Sequence, residues 1–240
     1  MSADRDFRVV PLNQTGSGPN SHVRADDFTG QSELSSNRVL RNTYLLLSAT
    51  LLFSAAMAGL AMAVGMPYLG PVITLVGYFG LLFLTFRLRN SVAGIGAVFA
   101  LTGFMGLTLG PILSAYLISV PNGGELVMTS LGITGLLFAG LSAYTIRSRR
   151  NFSFMAGFLT VGLFGLLGVI LVGLFVDLSA FQMAISSAVV LLMAGYILYE
   201  TSAIIHGGQT NYILATVSLY VSIYNIFVNL LALLGMGGDD

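Results

Sequence analysis

Apolar residues in this chain gather into long, nearly unbroken runs rather than into the half-apolar stripes of a soluble fold. Seven runs follow one another: Thr43–Val64, Gly70–Phe86, Ala93–Ser119, Leu126–Ile146, Phe154–Val176, Met183–Ile205 and Ile213–Leu234. A crossing of the hydrocarbon layer takes about 20 residues, with a range of about 17–25, and six of the runs fall in that window. Ala93–Ser119 is longer and is expected to tilt, or to bend at Gly110-Pro111, where proline lacks an N–H. Pro71 falls in the first turn of the second run, where a helix tolerates it. Lipid offers no partners to backbone N–H and C=O groups, so runs of this length must be helices. The pattern predicts an all-α membrane protein, a bundle of seven transmembrane helices.

Before the first run the character changes. Residues 1–37 are polar, carry charges of both signs and are broken by Pro11, Gly16, Gly18, Pro19 and Gly30. They are expected to form a disordered tail, with 38–240 as the membrane domain. The first run starts too far in and is too long for a signal-peptide core, so no cleaved leader is expected. The tail has two readings, an inert extension or a loose handle for a protease or another partner.

Composition and charge sharpen this picture. The chain has 240 residues, 55% hydrophobic and 8% charged, too few charges to cover a soluble surface. The formal net charge is zero, which argues against nucleic acid as a partner. There is no cysteine and no tryptophan, and all ten basic residues are arginine. With seven crossings the arginines fall on one side: Arg5, Arg8 and Arg24 in the tail, Arg38 and Arg41 before the first run, Arg87 and Arg89 after the second, and Arg147, Arg149 and Arg150 after the fourth. Glu125, Asp177, Asp239 and Asp240 fall on the other. The positive-inside rule then expects a cytosolic N-terminus and an external C-terminus.

The chemistry is concentrated in Tyr199–Gly235. Glu200 is the one carboxylate inside an apolar run, about 7 Å below the end of its helix at 1.5 Å per residue. A bare carboxylate deep in lipid costs about 2.5–3.5 kcal/mol on insertion scales. It can stay protonated or pair with a cation, and Arg87, Arg89 and Arg147 at the same membrane face are candidate latch partners. It reads either as a proton-sensitive latch or cation site, or as a structural bond between helix ends. On the last run, Ser218, Ser222, Asn225 and Asn229 are spaced 4, 3 and 4 apart and share one helical face. They read either as interhelical hydrogen-bonding glue or, for Ser222 and Asn225, as the lining of a polar pocket with Glu200. Tyr220 and Tyr224 flank this region and read either as interfacial aromatics or, by preference, as core packing. His206, with Gly207 and Gly208, makes the turn between the last two runs, and its protonation could tune Glu200. Gly106/Gly110, Ala55/Gly59 and the series Gly162, Gly165, Gly168 are expected to bring helices close together.

Several activities are excluded. A retinal protein needs a Schiff-base lysine. An intramembrane aspartyl protease needs two buried aspartates, whereas only Asp177 lies near a run. A serine protease needs a facing Ser and His, and no Gly-x-Ser-x-Gly elbow occurs. Two histidines and one buried acid do not build a metal cluster. The expectation is a non-enzyme without a cofactor.

Taken together, Tyr199-Glu200-Thr201, Leu219-Tyr220-x-x-x-x-Asn225-x-Phe227 and Leu230-Leu231-x-Leu233-Leu234-Gly235 resemble the transmembrane Bax inhibitor motif family, closest to its bacterial YccA-like branch. Val39-Leu40-Arg41-Asn42-Thr43-Tyr44, Gly110-Pro111-Ile112-Leu113 and Ile204-Ile205-His206-Gly207-Gly208 extend the likeness from about residue 36 to 235. The resemblance implies a seven-helix bundle with its last helix near the centre. In many members it also implies an acid on the sixth helix paired with an aspartate on the seventh, gating a slow calcium leak. Here the first position is Glu200 and the second falls on Ser222, which carries no charge, so the coupling of two nearby carboxylates is lost. The YccA-like branch implies instead a bacterial inner-membrane partner of the FtsH-type protease, with the tail as the handle. Three readings follow: a modulator that binds and restrains that protease, a pH-sensitive calcium leak with calcium as the transported ion, or a purely structural scaffold.

Overall fold

The computed structural model describes residues 25–237, with side chains from Ser36 onward. The helices are α1 (Ala25–Ala63), α2 (Gly70–Leu88), α3 (Ala93–Ser119), α4 (Gly123–Ser148), α5 (Ala156–Gly173), α6 (Gln182–Ile205) and α7 (Tyr212–Met236). Short 3-10 turns, Ser153–Met155 and Ser179–Phe181, lead into α5 and α6. Among the described residues, seven helices are long and apolar enough to cross a membrane, the first as Ser36–Ala63. This is a multi-pass membrane protein.

The apolar runs and the helices agree closely, with α3 matching at both ends. The largest difference is at α1, which is helical from Ala25, through residues that the polar pattern assigned to the tail. No proline interrupts the way from Ala25 to the first span. The rest of the expected tail, residues 1–24, lies outside the described residues. Gly110-Pro111 does not divide α3, which is one helix with Pro111 inside it.

α7 is the centre of the bundle and packs against α1, α3, α4 and α6. Leu219, Tyr220, Ile226 and Leu231 on it are fully buried. α2 is held mainly by α3, and α5 by α6, so both stand at the periphery and present most of their surface outward. Tyr220 joins three helices. Its hydroxyl lies 2.6 Å from Ser54 Oγ on α1 and donates to the Thr102 carbonyl of α3 at 3.3 Å. Tyr224, one turn on, stacks on Tyr220 with ring centroids 6.3 Å apart and faces Thr108 of α3. Both tyrosines are core aromatics, as the sequence suggested, and Tyr220 also satisfies its hydroxyl.

The small residues divide into two classes. A Cβ at Gly106 would collide with the Ser54 carbonyl, and one at Gly110 would lie 2.8 Å from the Ala58 carbonyl. α1 and α3 therefore touch backbone to backbone, which only glycine permits. Gly162 likewise fits beneath Leu192 of α6. Gly59, Gly165 and Gly168 instead face open space, and Ala55 is exposed. The expected packing role does not hold for these four. Lipid is as apolar as leucine, so spacing alone does not tell a packed small residue from one that faces acyl chains.

Candidate functional site

The ends of α2, α4 and α6 and the starts of α1, α3, α5 and α7 meet at one end of the bundle. Thr216 Oγ1 near the start of α7 donates to the Thr43 carbonyl of α1 at 3.3 Å. Asn211, just before α7, reaches the α2–α3 loop, donating to the Arg89 carbonyl at 2.9 Å and to Asn90 Oδ1 at 3.0 Å. His206 at the end of α6 meets the Arg149 carbonyl at the end of α4. All seven described arginines therefore gather at this end, as the seven-span reading required. Glu125 opens α4 at the opposite end, and Asp177 sits there before α6. The Ser179 backbone N–H, 2.9 Å from Asp177 Oδ1, holds that carboxyl below its ordinary range.

Glu200 lies one turn and a half inside this end and is 6% exposed. Gln209 Nε2 donates to its Oε1 at 3.2 Å. The Ser218 side chain on α7 faces the same carboxyl. Gln209 is itself held in place. Its backbone N–H donates to the Ala203 carbonyl at 3.0 Å, and its Oε1 accepts from the Asn211 N–H at 3.1 Å. Asn211 caps α7, its Oδ1 accepting from the N–H groups of Ile213 and Leu214. One continuous hydrogen-bonded chain thus runs from the buried acid, through Gln209 and Asn211, to the α2–α3 loop.

Four expectations change at this point. The latch of Glu200 to Arg87, Arg89 or Arg147 is not formed among the described residues. All three arginines are exposed, and the side chain that reaches the carboxyl is the amide of Gln209. Long cationic side chains this close to a helix end extend to the aqueous boundary instead. The α7 residue that meets Glu200 is Ser218, not Ser222 one turn further on. The polar stripe also turns inward on its own helix. Ser222 donates to the Ser218 carbonyl at 3.0 Å, Asn225 to Val221 at 2.8 Å and Asn229 to Asn225 at 2.8 Å. These are back-bonds four residues along rather than bonds between helices. His206 is occupied with Ser202 and Arg149, away from Glu200.

Gln209 and Asn211 were missed in the sequence. Asn211 carried a usable signal, an Asn directly before an apolar helical run. Gln209 carried none, because its role depends on where the turn folds back. Among the described residues, the buried hydroxyls of Thr43, Ser130 and Ser142 have no hydrogen-bond partner.

Comparison with known proteins agrees with this architecture. A model of the family described as inhibitor of apoptosis-promoting Bax1 matches residues 36–239. An uncharacterized protein of Pseudomonas aeruginosa is 54% identical over 203 residues, covering 84% of this chain and 91% of that one. The Escherichia coli K12 protein named modulator of FtsH protease YccA is 48% identical over 209 residues, covering 87% and 94%. An uncharacterized membrane protein of Vibrio cholerae is 43% identical over 208 residues, covering 86% and 93%. A buried acid at the junction of the last two helices, a central seventh helix and these matches along nearly the whole membrane domain lead to one conclusion: this chain belongs to the Bax inhibitor family.

Proposed function

We propose that this protein is a bacterial inner-membrane regulator that binds the FtsH-type membrane protease and restrains it, acting by binding rather than catalysis. The observation that carries the reading is the likeness to the E. coli FtsH modulator, which extends across both the seven spans and the acid-bearing junction. The arginine-bearing end faces the cytosol by the positive-inside rule. The N-terminal segment then lies on that side and serves as the handle. The bonded chain from Glu200 to the α2–α3 loop fits a rigid platform for a partner. Co-purification of the full chain with tagged protease from native membranes tests this. Deleting residues 1–35 is expected to reduce capture to the level of an unrelated membrane protein while the spans stay inserted. Unchanged capture and unchanged turnover would remove the handle from the account.

A second reading, a pH-sensitive cation leak with calcium as the ion, is favoured by one feature: the buried acid stands where α6 meets α7, beneath a single amide cover. Here Glu200 is the titrating gate and Ser222 and Asn225 line the path. Calcium flux into liposomes is expected to vary with pH between about pH 6 and 8, and Glu200→Gln is expected to flatten that dependence. Flux indifferent to the substitution would eliminate this reading and leave the first untouched.

A further inference from the structure

His206 closes α6 with its ring set between two main-chain carbonyls. Nδ1 lies 2.9 Å from the Ser202 carbonyl oxygen, and Nε2 lies 3.1 Å from the Arg149 carbonyl oxygen. A carbonyl oxygen only accepts. A neutral imidazole has one N–H, so it can make one of these bonds and not both. Both are made only when the ring carries two protons. Arg149, the residue held at the far side, has φ 48, a left-handed backbone conformation that a non-glycine residue adopts at a cost and keeps only where its surroundings fix it.

Next to the ring, the Ser202 hydroxyl ties the same loop a second time. It accepts from the Phe152 N–H at 3.0 Å and donates to the Arg150 carbonyl at 3.2 Å, with the ring Nδ1 at 3.3 Å. We propose that His206 is a proton-operated clamp, which as an imidazolium fastens residues 149–152 to the end of α6 and on losing either proton releases one of those fastenings. The two neutral forms fail differently. Without its Nε2 proton, the ring gives up the Arg149 carbonyl. Without its Nδ1 proton, a lone pair faces the Ser202 carbonyl, and the Ser202 hydroxyl relieves this by turning to Nδ1 and abandoning Arg150. Either way the loop that carries the α4 arginines loses one link to α6.

Among the described residues, the charged and titratable groups at this end of the bundle are Arg147, Arg149 and Arg150 of the α4 end, Arg87 and Arg89 of the α2 end, Arg38 and Arg41 of α1, Glu200 of α6 and Tyr212 opening α7; the ring itself touches Ser202 and Arg149. The clamp is independent of the protease reading, since it concerns the fold of this end whatever binds there.

The full chain in lipid nanodiscs allows a direct test, because it has two histidines and no cysteine. In a His22→Gln background, nitrogen-15 histidine spectra report His206 alone. Spin labels on Phe154→Cys and Thr210→Cys, both exposed and outside the clamp, report the distance between the loop and the α6–α7 turn. Histidine titrates between about pH 5 and 8. At the acid end of that range both ring nitrogens are expected to be protonated and the label distances narrowly distributed. Toward the basic end the distribution broadens, with the same midpoint as the ring. His206→Gln, which does not titrate, is expected to give one distribution at every pH. Label distances that ignore pH in the histidine-bearing protein, that follow a different midpoint from the ring, or that still respond in His206→Gln would overturn the proposal. The first two of these need no variant of the clamp itself.

Discussion

Gly106→Leu is expected to break the bundle at its tightest point, lowering stability in mixed micelles by about 3 kcal/mol, at the upper end of the cost of overpacking. The reason is the nature of the obstacle. A side chain placed at Gly106 meets the Ser54 carbonyl, which is backbone and cannot rotate aside. α1 would have to move away from α3 along its length, and Gly110, against Ala58, would lose its fit in the same step. Ser54 would also be drawn off Tyr220, so the loss spreads to α7. Gly59→Leu is the matched control. It faces open space on the same pair of helices and is expected to change stability by less than about 0.5 kcal/mol. Denaturant unfolding followed by circular dichroism, with gel filtration for the folded fraction, separates the two. Equal effects of both substitutions would mean that α1 and α3 do not meet as described.

The contrast between these two glycines also marks what the sequence can and cannot convey. Seven spans and their ends were legible because lipid leaves the backbone a single solution, so a run from Ala93 to Ser119 had to be a helix whatever it packed against. The side of each helix that faces inward was not legible. In water, burial writes an apolar stripe on a polar helix. In lipid, both faces of α5 are apolar, and nothing in Gly162, Gly165 and Gly168 distinguishes the one that fits beneath Leu192 from the two that open onto the cavity between α5 and α6.

The candidate site shows the same division. Glu200 stood out because an ionisable group within a span is costly, and the structure does bury it. Its partners were less accessible. Helical spacing placed Ser218 and Ser222 on one face correctly, but which of them lies level with Glu200 depends on the height of α7 against α6. That height is set by the turn from His206 to Asn211, where the Gln209 N–H bonds back to Ala203. The arginine latch failed for a related reason. Shared membrane face was legible, but the outward reach of the arginines and the closure of Gln209 over the acid are properties of side-chain placement.

Tyr220 carries the second large effect. Truncation to alanine removes a fully buried aromatic ring from the helix that every core cluster shares, and Phe→Ala changes of this kind cost about 3–5 kcal/mol. In a membrane this cost cannot come from exposing apolar surface to water, since lipid accepts it. It comes from the contacts the ring makes and the cavity it leaves. The hydroxyl adds a separate, smaller share. Tyr220→Phe keeps the ring, gives up the bond to the Thr102 carbonyl and leaves Ser54 without its partner, at about 1 kcal/mol. The two substitutions therefore divide packing from polar linkage at one position. Combining Tyr220→Phe with Ser54→Ala refines the division: if the 2.6 Å contact carries the hydroxyl's effect, the double variant is expected to be little worse than either single one. Strict additivity would assign the effect to Thr102 instead. A Tyr220→Ala protein as stable as the parent would show that α7 is not the helix around which the others are packed.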